Sequence, residues 1–100
     1  MSLTIREFKD KIIGKIKEKF EVEERKGHHI FYEIYYKGKR IGKTYCSHGS
    51  GGKEISKKVL SKIKRQLNLD TLKQLYDLKN CPMRAEDYFI LLKEKGEIKE

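Results

Sequence analysis

Residues 20–47 constrain the fold more than any other part of the chain. Phe20-Glu21-Val22-Glu23-Glu24-Arg25 alternates with a period of two and is halted by Gly27. Residues 28–36 are dense in β-branched and aromatic side chains, which suit a pleated, half-buried surface. Lys37-Gly38-Lys39-Arg40 then supplies a glycine for the positive φ of a tight turn, and residues 41–47 pair back as a third strand. The second strand is apolar on both sides, with Ile30, Tyr32, Ile34 and Tyr36 on one face and Phe31 and Tyr35 on the other. Alternation therefore leaves its core-facing side open, and a bulge could switch the parity midway.

Amphipathic helices flank this sheet. Thr4-Ile5-Arg6-Glu7 has the order of a capping box, with Leu3 and Phe8 at the staple positions. Ile5, Phe8, Ile12, Ile13 and Ile16 then form one face of a helix ending near Lys19, its other faces solvated lysine and glutamate. Ser50-Gly51-Gly52 breaks the sheet and is expected to start a helix that buries Ile55, Val59, Leu60, Ile63 and Leu67. Its other faces carry Lys53, Lys57, Lys58, Lys62, Lys64 and Arg65 against Glu54 alone. Asp70 is the expected cap of a third helix containing Leu72, Leu75, Tyr76 and Leu78, which stops before Asn80-Cys81-Pro82. A fourth, over residues 84–95, presents Tyr88, Phe89, Leu91 and Leu92 and is closed by Gly96. The expected fold is α+β, in the order α-β-β-β-α: a three-stranded antiparallel sheet with helices on one face, residues 1–68. A two-helix extension, residues 69–100, packs on that domain.

One hundred residues allow one core. Residues 1–68 hold 18 basic and 8 acidic side chains, and residues 69–100 hold 6 and 7, so the first two-thirds carries the positive field. A concentrated basic surface captures polyanions, which makes nucleic acid the default partner. The longest apolar run, Phe89-Ile90-Leu91-Leu92, is far short of the roughly 20 residues that span a bilayer. Charges interrupt the N-terminus from Arg6 onward, unlike a signal peptide, and a cytoplasmic protein with no membrane partner is expected. Cys46 and Cys81 belong to no Cys-x-x-Cys pair and are expected to be small buried residues without zinc or a disulfide.

Three histidines are candidates for chemistry. An imidazole at His28 could take the proton of a ribose 2′-hydroxyl and return one to the 5′-oxygen leaving group, with lysines steadying the phosphorane; no metal or other cofactor is needed. The competing reading is an exposed histidine at a strand edge. His29 falls on the opposite face of a regular strand and suits packing against an aromatic neighbour. His48 precedes the glycine turn, where a helix N-terminus would present N–H groups to an anion; a turn histidine bonded to backbone explains it equally well. Gly49-Ser50-Gly51-Gly52-Lys53 lacks the spacing of a nucleotide-triphosphate loop. Tyr32, Tyr35, Tyr36 and Tyr45 could stack on bases but are read as packing.

Gly27-His28-His29-Ile30-Phe31, followed by His48-Gly49, Gly52-Lys53-Glu54-Ile55, Leu60, Ile63 and Leu67, resembles the HicA (YcfA-like) family of toxin mRNA interferases over roughly residues 4–68. The resemblance implies a fold like the double-stranded-RNA-binding domain, endonuclease action on messenger RNA in a toxin–antitoxin system, and a HicB-like antitoxin covering the active site. It puts His28 at the family's catalytic position. The basic residues around that histidine and the turn before the lysine-rich helix make Lys26, His48, Lys53, Lys57 and Lys58 the expected RNA-binding residues. The family's Gly-Ser-His motif is here Lys26-Gly27-His28. That departure keeps a second expectation open, a non-catalytic double-stranded-RNA-binding module. A third is a protein-interaction domain built on the last two helices.

Overall fold

A computed structural model of the chain describes residues 2–47, 51–80 and 82–99. It is an α+β fold with an open, three-stranded antiparallel sheet. The first helix, α1, covers residues 5–16, and its middle, Phe8–Ile13, is π-helical between short α-helical ends. The Gly14 N–H reaches the Lys9 carbonyl, five residues back, and the wider turn brings Phe8, Ile12, Ile13 and Ile16 all into the interior. The expected capping box is formed: the Thr4 N–H donates to Glu7 Oε1 at 3.0 Å, and the Glu7 N–H donates to Thr4 Oγ1 at 3.2 Å. Leu3 and Phe8, the staple pair, are fully buried.

Lys79 Nζ also lies 2.9 Å from Glu7 Oε2. The Thr4 backbone N–H first, then Lys79, hold this carboxyl at about 2 rather than its ordinary 4.5. A depressed carboxyl stabilises the fold fully above about 4.5 and loses that contribution as pH falls through about 2. Glu7→Gln should therefore lower stability at neutral pH by roughly 1–2 kcal/mol, allowing for solvent screening of a partly exposed group. The two proteins should converge near the acid end of that window, as read from urea midpoints at several pH values. A gap that stays constant with pH would contradict the assignment.

Strands β1 (Glu21–Lys26), β2 (His29–Tyr36) and β3 (Lys39–Ser47) follow in order. Lys37 and Gly38 both have positive φ, 50° and 79°, which makes the β2–β3 connection a two-residue turn whose twist matches its strands. Tyr32 and Ile34 settle the inner face, both buried. The bulge is on β3 rather than β2: Ile34 pairs with Gly42 and Tyr35 with Arg40, leaving Ile41 as the extra residue, partly buried against the core.

The basic helix starts later than expected. The structure places α2 at Lys57–Gln66, with Ser56 as its cap, the Val59 N–H donating to Ser56 Oγ at 3.3 Å. Residues 51–55 instead run alongside residues 3–6: the N–H groups of Ile5, Arg6 and Ile55 donate to the carbonyls of Lys53, Gly51 and Leu3 at 2.9, 3.0 and 2.8 Å. The Arg6 guanidinium lies against Gly51, where an added Cβ would meet Nε at 2.9 Å and make that side chain shift. At the far end of α2, Asn68 takes φ 62° and the Leu69 N–H reaches back to the Lys64 carbonyl, a left-handed helix stop.

Helix α3 is Leu72–Asn80, and Thr71, not Asp70, caps it: the Gln74 N–H donates to Thr71 Oγ1, while Gln74 Oε1 accepts from the N–H groups of Thr71 and Asp70. Asp70 pairs with Lys95 instead, at 2.7 Å. Lys15 of α1 is not a solvated lysine. Its ammonium donates to the carbonyls of Leu78 and Met83, closing the C-terminal end of α3. Helix α4, Ala85–Glu94, ends as expected near Gly96, which has φ 79°.

One face of the sheet receives α1 and α2. Phe8 meets Tyr32 edge-on at 5.8 Å, and buried Thr44 donates from Oγ1 to Gln66 Oε1 at 2.9 Å. Helices α3 and α4 pack against α1, and their buried residues join the same apolar cluster. Phe20 is the hinge of that cluster, in ring contact with Tyr36, Tyr88 and Phe89. Tyr36, Ile41 and Ile98 line one hollow, so the C-terminal segment lies at the Lys37-Gly38 end of the sheet. No helix among the described residues is long and apolar enough to cross a membrane.

Candidate nucleic-acid interface

At the other end of the sheet, β1 and β2 are joined through a bend at Gly27 and His28. The Gly27 N–H donates to the His29 carbonyl at 3.0 Å, which tightens the connection and sends the intervening His28 outward. His28 thus stands in the bend rather than in β2, one residue before the strand begins, and it is exposed. Among the described residues no side chain covers the Gly27 position, where an added Cβ would meet the His29 carbonyl oxygen at 4.0 Å.

His29 opens β2 opposite Ser47 on β3, and is also exposed. Its ring lies 5.2 Å from Tyr45 and 6.2 Å from Phe31, which is the aromatic packing expected of it. These rings share the sheet face that carries no helix, because Tyr32, Ile34, Thr44 and Cys46, of opposite parity, are the buried ones.

The expected cations divide between two places. Lys26 ends β1, pairs with Ile30 and is exposed. Its parity puts it on the helix side of the sheet. Lys53 is exposed on the segment beside residues 3–6, ahead of α2 and not on it. Lys57 and Lys58 form the exposed first turn of α2. A cavity of about 190 Å3 connects the parts: Ser47 and Cys46 at the end of β3, Lys53, and Ser56 and Val59 at the start of α2 all line it. Ser47 in turn pairs with His29, so Lys53, Lys57 and Lys58 gather at the same end of the fold as the His28 bend. Cys46 is buried there, and desolvation raises its thiol above the ordinary range. A thiol held protonated is a poor nucleophile. Expected residue His48 lies outside the described residues, as does Cys81.

The sequence reading missed Glu33. This glutamate sits on the helix-free face and is nonetheless buried to 7 % exposure under Arg25 Nε at 3.3 Å, Arg40 Nη1 at 3.5 Å and the Tyr35 hydroxyl at 2.9 Å. The Tyr35 hydrogen bond first, and the two guanidinium groups after it, hold the carboxyl below the usual range. The signal was present as a lone acid in an aromatic strand, but its partners come from both neighbouring strands. Among the described residues, no three His, Cys, Asp or Glu side chains assemble into a metal-binding group.

No family model, curated protein or solved structure matches the chain.

Proposed function

We propose that the protein is a HicA-type toxin, a metal-independent endoribonuclease that cleaves messenger RNA with His28 as general acid/base. The observation that carries this reading is an exposed imidazole in a tight bend at the end of the sheet where Lys53, Lys57 and Lys58 also gather. RNA brings its own nucleophile, the 2′-hydroxyl, so the protein has to move protons and stabilise charge. His28 removes the 2′ proton as that oxygen attacks phosphorus, and the 5′-oxygen leaves with a proton returned to it. The products are a 2′,3′-cyclic phosphate and a 5′-hydroxyl end. Lys26, Lys53, Lys57 and Lys58 hold the phosphates that flank the scissile bond. In a cell such an activity requires a HicB-like antitoxin covering the His28 end, and it acts in the cytoplasm.

The test is cleavage of single-stranded RNA in EDTA, with the ends of the products identified. Cyclic-phosphate ends support the reading, and 5′-phosphate products would reject it. Gly27→Ser, which restores the Gly-Ser-His family's serine next to the histidine, should fold with stability within about 0.5 kcal/mol of the parent, because the site is open and its φ is not left-handed. It should cleave at least as fast.

The exposed row Lys57, Lys58, Lys62 and Arg65 on α2 favours one alternative, a non-catalytic module reading duplex RNA by shape. Preference for a duplex without any cleavage would select it.

A further inference from the structure

The helices α1 and α2 cover one face of the sheet; on the other, near the His28 bend, Arg25, His29 and Lys43 are exposed and Phe31 and Tyr45 are half-buried. Two rows of cross-strand neighbours lie there. His29 is opposite Ser47, and Phe31 stands between Arg25 on β1 and Tyr45 on β3. The three rings form one group: Phe31 and Tyr45 are 6.0 Å apart and tilted by 41°, and His29 leans on both. Lys43 Nζ stands 5.1 Å from the centre of the Phe31 ring.

We propose that this aromatic face binds an unpaired RNA segment, whose bases stack on Phe31, Tyr45 and His29 and whose backbone runs to the His28 bend. Electrostatics select the occupant. The two rows hold no carboxylate on this face; the next row holds Glu33, engaged by Arg25, Arg40 and the Tyr35 hydroxyl, and Glu23, 3.7 Å from Arg25 Nη2. Lys43 and Arg25 flank the rings; Arg25 shares its charge with Glu23 and Glu33, so Lys43 is the cation that a base laid on the rings finds at its phosphates. Protein interface cores are depleted of lysine and serine, and Lys43 and Ser47 both stand beside these rings. A duplex keeps its base faces stacked inside and offers the rings nothing to stack on.

The proposal rests on the RNA-directed reading above and names its substrate class as single-stranded, with the bases near the cleaved bond held on the sheet. It is tested by binding rather than cleavage. In a His28→Ala background, affinity for fluorescent oligouridylate is compared with affinity for an adenylate–uridylate duplex. Phe31→Leu and Tyr45→Leu keep apolar bulk and lose the ring; each should weaken single-strand binding about 10-fold, in the range of a lost base stack, with little change for the duplex. Tyr45→Phe should bind within about 2-fold of the parent, since the ring face remains.

Unchanged single-strand affinity in both leucine variants would overturn the proposal and give this face to a protein partner. Equal losses for single strand and duplex would overturn it as well. Independently of any variant's folding, the ring resonances of Phe31 and Tyr45 in the His28→Ala protein should shift as oligouridylate binds. RNA binding without those shifts, or no RNA binding at all, would likewise overturn it. A wild-type protein that binds through these rings and never cleaves would remove the nuclease reading while leaving the stacking face in place.

Discussion

Replacing His28 with alanine should lower RNA cleavage by about 10²- to 10⁴-fold, the contribution of a positioned proton-transfer group. RNA affinity should stay within about 2-fold of the parent, because the phosphate contacts that dominate it come from lysines. The contrast between the two readouts is what the geometry demands. His28 stands exposed in a bend that no helix covers, so its removal disturbs neither the core nor the cationic residues on the 51–58 segment. Neighbouring His29 is the proper control: it is held against Phe31 and Tyr45, on the face opposite the lysines of the helix side. His29→Ala should therefore cost affinity before it costs the chemical step. Equal cleavage by the His28→Ala protein, measured at saturating RNA, would end the nuclease proposal.

How legible this was in the sequence depended on the range of the interaction. The capping box at Thr4, the Lys37-Gly38 turn and the stop at Gly96 are local, and the residues that form them lie within a few positions of one another. The start of α2 was misjudged because the glycines at 51 and 52 suggest a helix entry. In fact Leu3, Ile5 and Arg6, far away in the chain, bind residues 51–55 into an extended pairing that postpones the helix to Ser56. Lys15 reads as one more surface lysine until α3 brings its open carbonyls alongside. Glu33 could not be placed because its two guanidinium partners belong to different strands. The position of His28 was legible to one residue, and what that residue decides is whether the ring sits in a strand or in a bend.

A chain truncated after Asn68 should fail to fold. The pattern of residues suggests a domain that ends there, but the packing does not stop at that boundary. Phe20, at the entrance to β1, is 96 % buried, and two of its three ring neighbours, Tyr88 and Phe89, come from α4. The Tyr88 hydroxyl donates to the Leu67 carbonyl at 2.7 Å, and Lys15 and Glu7 of α1 are bound to the Leu78 carbonyl and to Lys79. Leu75, Leu78, Tyr88, Leu92 and Ile98 are all buried in the shared cluster. Each apolar side chain of this size stabilises by about 1.5–3 kcal/mol when buried, so losing five removes as much as the roughly 5–15 kcal/mol by which a domain is stable. The 1–68 fragment should show no cooperative thermal transition and poorly dispersed amide resonances, while the full chain melts in one step. A fragment with a dispersed spectrum and a sharp transition would make the extension a dispensable addition. The extension therefore supports the candidate site from two sides: α4 and Ile98 hold the Lys37-Gly38 end of the sheet, and Lys79 of α3 binds Glu7 next to residues 3–6, which hold the Lys53 segment.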